Sequence, residues 1–114
     1  MDEVCELVVT APDEAWMAEF TRSLVDRRLA ACGHILTPIR AIYRWSGKVE
    51  DEQEVRVALH TRLTLVDRIV DEANQRHSYK VPCVIATPIV GGNPAYLRWV
   101  LDETDADAAG VVDS

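Results

Sequence analysis

Three cysteines and three histidines are the residues of this chain best suited to bind metal or act as nucleophiles. Cys5, Cys32 and Cys83 are widely spaced and form no CxxC pair, so they do not make a zinc knuckle or a redox motif. An odd count of thiols suits a reducing compartment, where each packs as a small hydrophobe. The imidazoles are His34, His60 and His77. A thiolate and imidazoles together would hold a soft metal ion. One Cys with one or two His falls short of the four ligands of a structural zinc site. A complete site in one subunit is therefore not expected, whereas one shared between subunits is open. Cys32 with a distant His could also form a nucleophile and base pair, if the fold joins them. The chain contains no GxGxxG, P-loop, HExxH or GxSxG, and the reading is of a non-enzyme. Gly91-Gly92-Asn93 precedes a helix start, where an anion could sit, but two glycines and an N-cap are more often a plain turn. The acids Glu50, Asp51, Glu52 and Glu54 read as a solvated edge, since a hard-cation site needs ligands converging from a turn.

The scaffold for these groups is small. The chain has 114 residues, 48% hydrophobic and 27% charged, which is ordinary globular usage. That suffices for one core without disulfide or metal staples. The formal charge is −7, from 19 acids and 12 bases. Five of the acids, Asp102, Glu103, Asp105, Asp107 and Asp113, fall after Leu101, where no Lys or Arg occurs. We expect a single domain over residues 1–103 and an acidic tail over 104–114. Without a basic stripe the chain is not expected to bind nucleic acid or an anionic membrane. No apolar run reaches the ~20 residues of a membrane span, and Met1-Asp2-Glu3 lacks the basic start of a signal peptide. The expected location is the cytoplasm.

The elements alternate. Val4 to Thr10 reads as a buried strand. Asp13 then caps a helix whose apolar face is Trp16, Phe20 and Leu24 with Met17 and Val25. It should carry Arg27 and Arg28 in its last turn and end near Ala30 or Ala31. Cys32 to Trp45 and Lys48 to Thr61 alternate as two long strands around Ser46-Gly47, a hairpin turn. Pro38 cannot donate to a ladder and marks a bulge or an edge. Thr61 or Thr64 should open a second helix with a stripe of Leu63, Val66, Ile69, Val70 and Ala73, ending by His77. Val81 to Val90 is a fourth strand. Asn93-Pro94 is a cap followed by Pro at the first helical position, and Tyr96, Leu97, Val100 and Leu101 drive a short last helix.

The order β-α-β-β-α-β-α gives an α+β fold: a ferredoxin-like split β-α-β sandwich with a long hairpin between its middle strands and a short C-terminal helix. Hairpin arms of about 14 residues would reach roughly 45 Å, beyond a globule roughly 34 Å across. An overhanging ribbon is unstable alone, and its edges invite pairing with another copy. The expectation is a closed homo-oligomer.

Several motifs resemble one family. Tyr43-Arg44-Trp45-Ser46-Gly47-Lys48 is similar to the Y-x-W-x-G-K hairpin tip of the CutA divalent-cation tolerance proteins. Leu29-Ala30-Ala31-Cys32, Thr10-Ala11-Pro12, Pro88-Ile89 and Gly92-Asn93-Pro94-Ala95-Tyr96-Leu97-Arg98-Trp99 also fit, in order, over about residues 4 to 103. The resemblance implies a tight homotrimer, similar in architecture to the PII signal-transduction proteins, with ligands held between subunits. It also implies a role in copper or other divalent-cation homeostasis, with no required cofactor. The residues it carries over are Cys32 and His77 as metal ligands, and Trp45, Lys48 and Tyr79 as a ligand pocket. His60 stands where the family has lysine, and joins the metal candidates as an imidazole. Ser78 replaces a proline of the family's H-P-Y-x-x-P, read here as His77 to Pro82. The alternative reading is a PII-like module for a small anionic metabolite, without a metal role.

Overall fold

A computed structural model describes residues 3–105. The order is β1 (Val4–Ala11), α1 (Glu14–Asp26), β2 (Cys32–Trp45), β3 (Lys48–Arg62), α2 (Val66–Arg76), β4 (Val84–Pro88) and α3 (Pro94–Glu103). The strands form one sheet in the order β2-β3-β1-β4, and each neighbouring pair is antiparallel. This is the split β-α-β arrangement expected from the element order.

Alternation along the strands assigns the two faces. Leu7, Val9 and Ala11 of β1 and Val55, Val57 and Leu59 of β3 face the helices. They bury against Met17, Phe20 and Leu24 of α1 and against Leu65, Ile69 and Ala73 on and before α2. Trp16 stacks on Phe20 at 4.8 Å and closes the edge of this core. The opposite face carries Glu6, Ala58 and His60, and α3 packs across one end of it. Val100 and Leu101 of α3 bury there with Val4 and Ala31.

Local chemistry sets most boundaries. Asp13 accepts the Trp16 amide at 2.9 Å, and Asn93 accepts that of Ala95 at 3.1 Å with Pro94 opening α3. Ser46 and Gly47 take φ of 51° and 78° in the hairpin turn, as a two-residue turn with matching twist requires. Near Pro38, β2 advances from Leu36 to Ile39 while β3 advances only from Arg56 to Glu54. One extra residue in β2 reverses its alternation. As a result Cys32, His34 and Leu36 before the bulge share a face with Ile39, Ala41, Tyr43 and Trp45 after it.

Three expected boundaries and one expected solvated face are corrected. The first helix ends at Asp26, not near Ala30: Arg28 turns left-handed at φ 61°. The reversal lets the Leu29 and Ala30 amides bond the Leu24 carbonyl and sends both side chains into the core. Arg27 and Arg28 consequently lie outside the helix. Neither Thr61 nor Thr64 caps α2. Thr61 is buried in β3, donating to the Leu29 carbonyl at 2.6 Å, and α2 follows a 3-10 turn over Leu63–Leu65 without a side-chain cap. Leu63 is partly exposed and Leu65 takes its place in the core. The fourth strand is only Val84–Pro88, because its partners on β1 run from Val9 to Cys5. The acids of β3 are not one solvated face: Glu54 is buried, and Asp51 takes two bonds from Arg40 at 2.9 and 2.7 Å.

No residue from 32 to 53 is buried; Ile35 near the start of β2 packs against the core, and the ribbon beyond the bulge stands clear of it. Leu36, Ile42, Trp45 and Val49 on it are exposed, and the long dimension of the molecule is 44 Å. After α3, Thr104 is buried and receives Arg62 at 3.0 Å, and the Asp105 amide bonds the Arg28 carbonyl. Asp107, Asp113 and the rest of the expected tail lie outside the described residues. Among the described residues no helix is long and apolar enough to cross a membrane.

Candidate functional site

Antiparallel register lines up Cys32 of β2, His60 of β3 and Glu6 of β1 in one row across the open face. His34 follows Cys32 by two residues and points to the same side. Cys32 Sγ lies 3.7 Å from His60 Nδ1, and His60 Nε2 lies 2.9 Å from Glu6 Oε2. The His34 and His60 rings meet edge to face at 5.5 Å. Ligand atoms of Cys32, His34 and His60 all lie within 4.8 Å of one another. A carboxylate only accepts, so His60 Nε2–H donates to Glu6 and the Nδ1 lone pair faces Cys32.

Tyr96 reaches this row from the first turns of α3. Its hydroxyl donates to His60 Nδ1 and lies 3.2 Å from Cys32 Sγ. Burial, reinforced by the neighbouring sulfur, pushes its pKa up to about 12. The phenol is therefore a neutral donor at physiological pH. A thiol and two imidazoles suit a soft or borderline metal ion, and three ligands leave one coordination position open.

A second feature lies at the other end of the same face. A cleft of about 650 Å³ runs between the ribbon and the segment after α2. Tyr43, Trp45, Tyr79 and Lys80 line it, together with Glu50, Glu52 and Glu54. Tyr79 donates to Glu54 at 2.8 Å. Burial and that carboxylate raise the Tyr79 pKa well above the usual phenol range. Three carboxylates against one ammonium favour a cation over an anion in this cleft.

The expected site residues separate accordingly. Cys32 and His60 come together, and Trp45 and Tyr79 line the cleft. Lys48 faces Trp45 across the hairpin end and is not part of the lining. The fold does not bring His77 to Cys32. Its Nε2–H donates to the Thr10 carbonyl at 2.7 Å and its Nδ1 accepts the Tyr79 amide at 2.9 Å. Thr10 is four residues along β1 from the Cys32 row, roughly 13 Å at strand rise. With both nitrogens bonded, His77 acts as a brace for the loop that carries Tyr79. The pairing of Cys32 with His77, as co-ligand or as catalytic base, has no geometry within one protomer.

Three members of the cluster escaped the sequence reading: His34, Glu6 and Tyr96. The two-residue spacing of Cys32 and His34 on a strand was the available signal. Glu6 and Tyr96 had none, because their approach depends on register and on the docking of α3.

The family model described as CutA1 divalent ion tolerance protein matches residues 5–103. The chain belongs to this family. Among CutA relatives, Protein CutA of Mus musculus is 40% identical over 98 residues, 86% of this chain and 55% of its own length. The chain thus spans little more than half of that relative. The divalent-cation tolerance protein CutA of Thermus thermophilus is 35% identical over 104 residues, covering 91% of this chain and 99% of its own. The crystal structure of CutA1 from Oryza sativa matches with a TM-score of 0.88 at 35% identity, over 91% of this chain and 95% of that one. CutA1 structures are therefore the structural neighbours of this four-stranded α+β fold.

Proposed function

We propose that the protein serves tolerance of divalent cations by binding a soft divalent ion, copper or a similar metal, weakly and reversibly on the open face of its sheet. The observation that carries this is the meeting of Cys32, His34 and His60 ligand atoms within 4.8 Å. The protein acts as a homotrimer in which ribbons of neighbouring copies cover that face, setting the ion near the subunit contacts. The exposed Leu36, Ile42, Val49 and Ile85 support this, since such side chains gain from burial against another copy. The three free thiols support a cytoplasmic site of action.

Native mass spectrometry of the reduced protein, with and without zinc or copper(II), tests the reading. The expected species is a trimer that takes up a defined number of ions. A trimer that stays metal-free at saturating ion would refute metal binding. It would leave the aromatic cleft, as a small-ligand module, to account for the protein. A monomer under all conditions would refute the ribbon argument.

A further inference from the structure

Resting on that reading of a soft divalent ion, we infer that a single protomer supplies a preorganised three-ligand site. Cys32 Sγ, His34 and His60 Nδ1 are the ligands, Glu6 is the positioning carboxylate, and the Tyr96 hydroxyl holds the Nδ1 lone pair that the ion must take. No side chain of a second copy is required.

The geometry carries this in three steps. A tetrahedral ion with bonds of about 2.3 Å to sulfur and 2.0 Å to nitrogen holds those two atoms roughly 3.5 Å apart. The Cys32 Sγ to His60 Nδ1 distance is 3.7 Å. Cys32 and His60 also sit on two hydrogen-bonded strands, with His60 only 14% exposed, so little order is lost at these two, and the exposed His34 completes the set by a side-chain rotation. Finally, Glu6 holds His60 Nε2–H at 2.9 Å, which fixes the tautomer that presents Nδ1. A histidine held by a carboxylate on its far nitrogen is the usual support of a metal-bound imidazole.

Tyr96 determines how tightly the ion is held. Its hydroxyl is bonded to the same Nδ1 lone pair that the ion would use and lies beside the same sulfur. Binding must displace that hydrogen bond, so the phenol competes with the ion and keeps affinity low. The rest of Tyr96 packs against Trp99 and His60, so a phenylalanine would preserve α3. Thiolate with imidazole selects a borderline-soft ion such as zinc over calcium or magnesium, which prefer oxygen ligands.

The test is anaerobic titration of the reduced full chain with cobalt(II), followed by zinc competition. Cobalt should bind once per chain and show a thiolate-to-metal charge-transfer band, absent in Cys32→Ser. His34→Ala changes an exposed side chain, leaves folding intact, and should weaken zinc about tenfold or more. Glu6→Gln should weaken it by roughly 10- to 100-fold and shift the cobalt spectrum. Tyr96→Phe should tighten it by roughly three- to tenfold, the worth of the hydrogen bond removed. Cobalt bound without the thiolate band, or zinc affinity unmoved by Cys32→Ser and His34→Ala, would overturn this ligand set and leave the general cation reading standing. Weaker binding by Tyr96→Phe would overturn the competing role of the hydroxyl. No binding of either ion would remove the cation reading itself.

Discussion

Gly33 lies between Cys32 and His34 and faces α1 rather than the open side. A Cβ placed there would sit 2.5 Å from Thr21 Cγ2, 3.0 Å from Leu59 Cδ2 and 3.1 Å from Val57 Cγ2. Carbon atoms in good contact are about 3.5–4.0 Å apart, so Gly33→Ala must lift α1 by about 1 Å or distort β2. Leu59 and Val57 are fully buried and have little room to yield. Overpacking of this kind costs roughly 1–3 kcal/mol. Replacing glycine in a strand returns roughly 0.4–1 kcal/mol through the unfolded chain. The net expectation is a loss of about 1–2 kcal/mol, read by guanidinium unfolding at fixed protein concentration. Thr21→Ser removes the closest methyl. In that background Gly33→Ala should cost clearly less, the remainder coming from the Leu59 and Val57 contacts. An equal loss in both backgrounds, or stabilisation by Gly33→Ala alone, would refute the steric account.

Other expected outcomes concern charge and titration. Glu72 is held by Arg27, which lowers its pKa below the usual carboxylate value, with Arg68 adding to the effect. A depressed carboxylate stabilises above its unfolded pKa of about 4.5 and loses that contribution as pH falls further. Glu72→Gln should therefore cost about 2 kcal/mol at pH 7 and flatten the acid limb of a stability-versus-pH curve below about pH 5; an unchanged limb would sink the assignment. Tyr43, Tyr79 and Tyr96 are the three tyrosines, and all have pKa values raised above 10. Ultraviolet titration of the native protein should leave the Tyr79 and Tyr96 phenols protonated at pH 10, and two full tyrosines titrating there would contradict their packing. Cys5 is fully buried, and burial raises its pKa to about 11. Iodoacetamide should leave it unmodified until the protein unfolds, as peptide mass spectrometry would read.

The element order, the overhanging ribbon and the caps at Asp13 and Asn93 were legible in the sequence. Each depends on residues a few positions apart: a side-chain oxygen before a helix, a glycine in a turn, an alternation along a strand. The end of α1 was not legible. Stopping at Asp26 depends on Leu29 and Ala30 being drawn into a core built from β1 and β3. His77 shows the same limit at the site. The family resemblance suggested a ligand, but within one protomer the fold uses both nitrogens to brace a loop.

By itself the sequence determined which soft-ligand side chains the chain has, Cys32 and His60 among them. Only the tertiary structure decided their company. His60 bonds Glu6 across 54 residues and Tyr96 across 36. Those meetings follow from strand register, and a slip of one residue would send every side chain to the other face. Register is set by the buried face of the whole sheet and the docking of α3, which no local run of residues specifies.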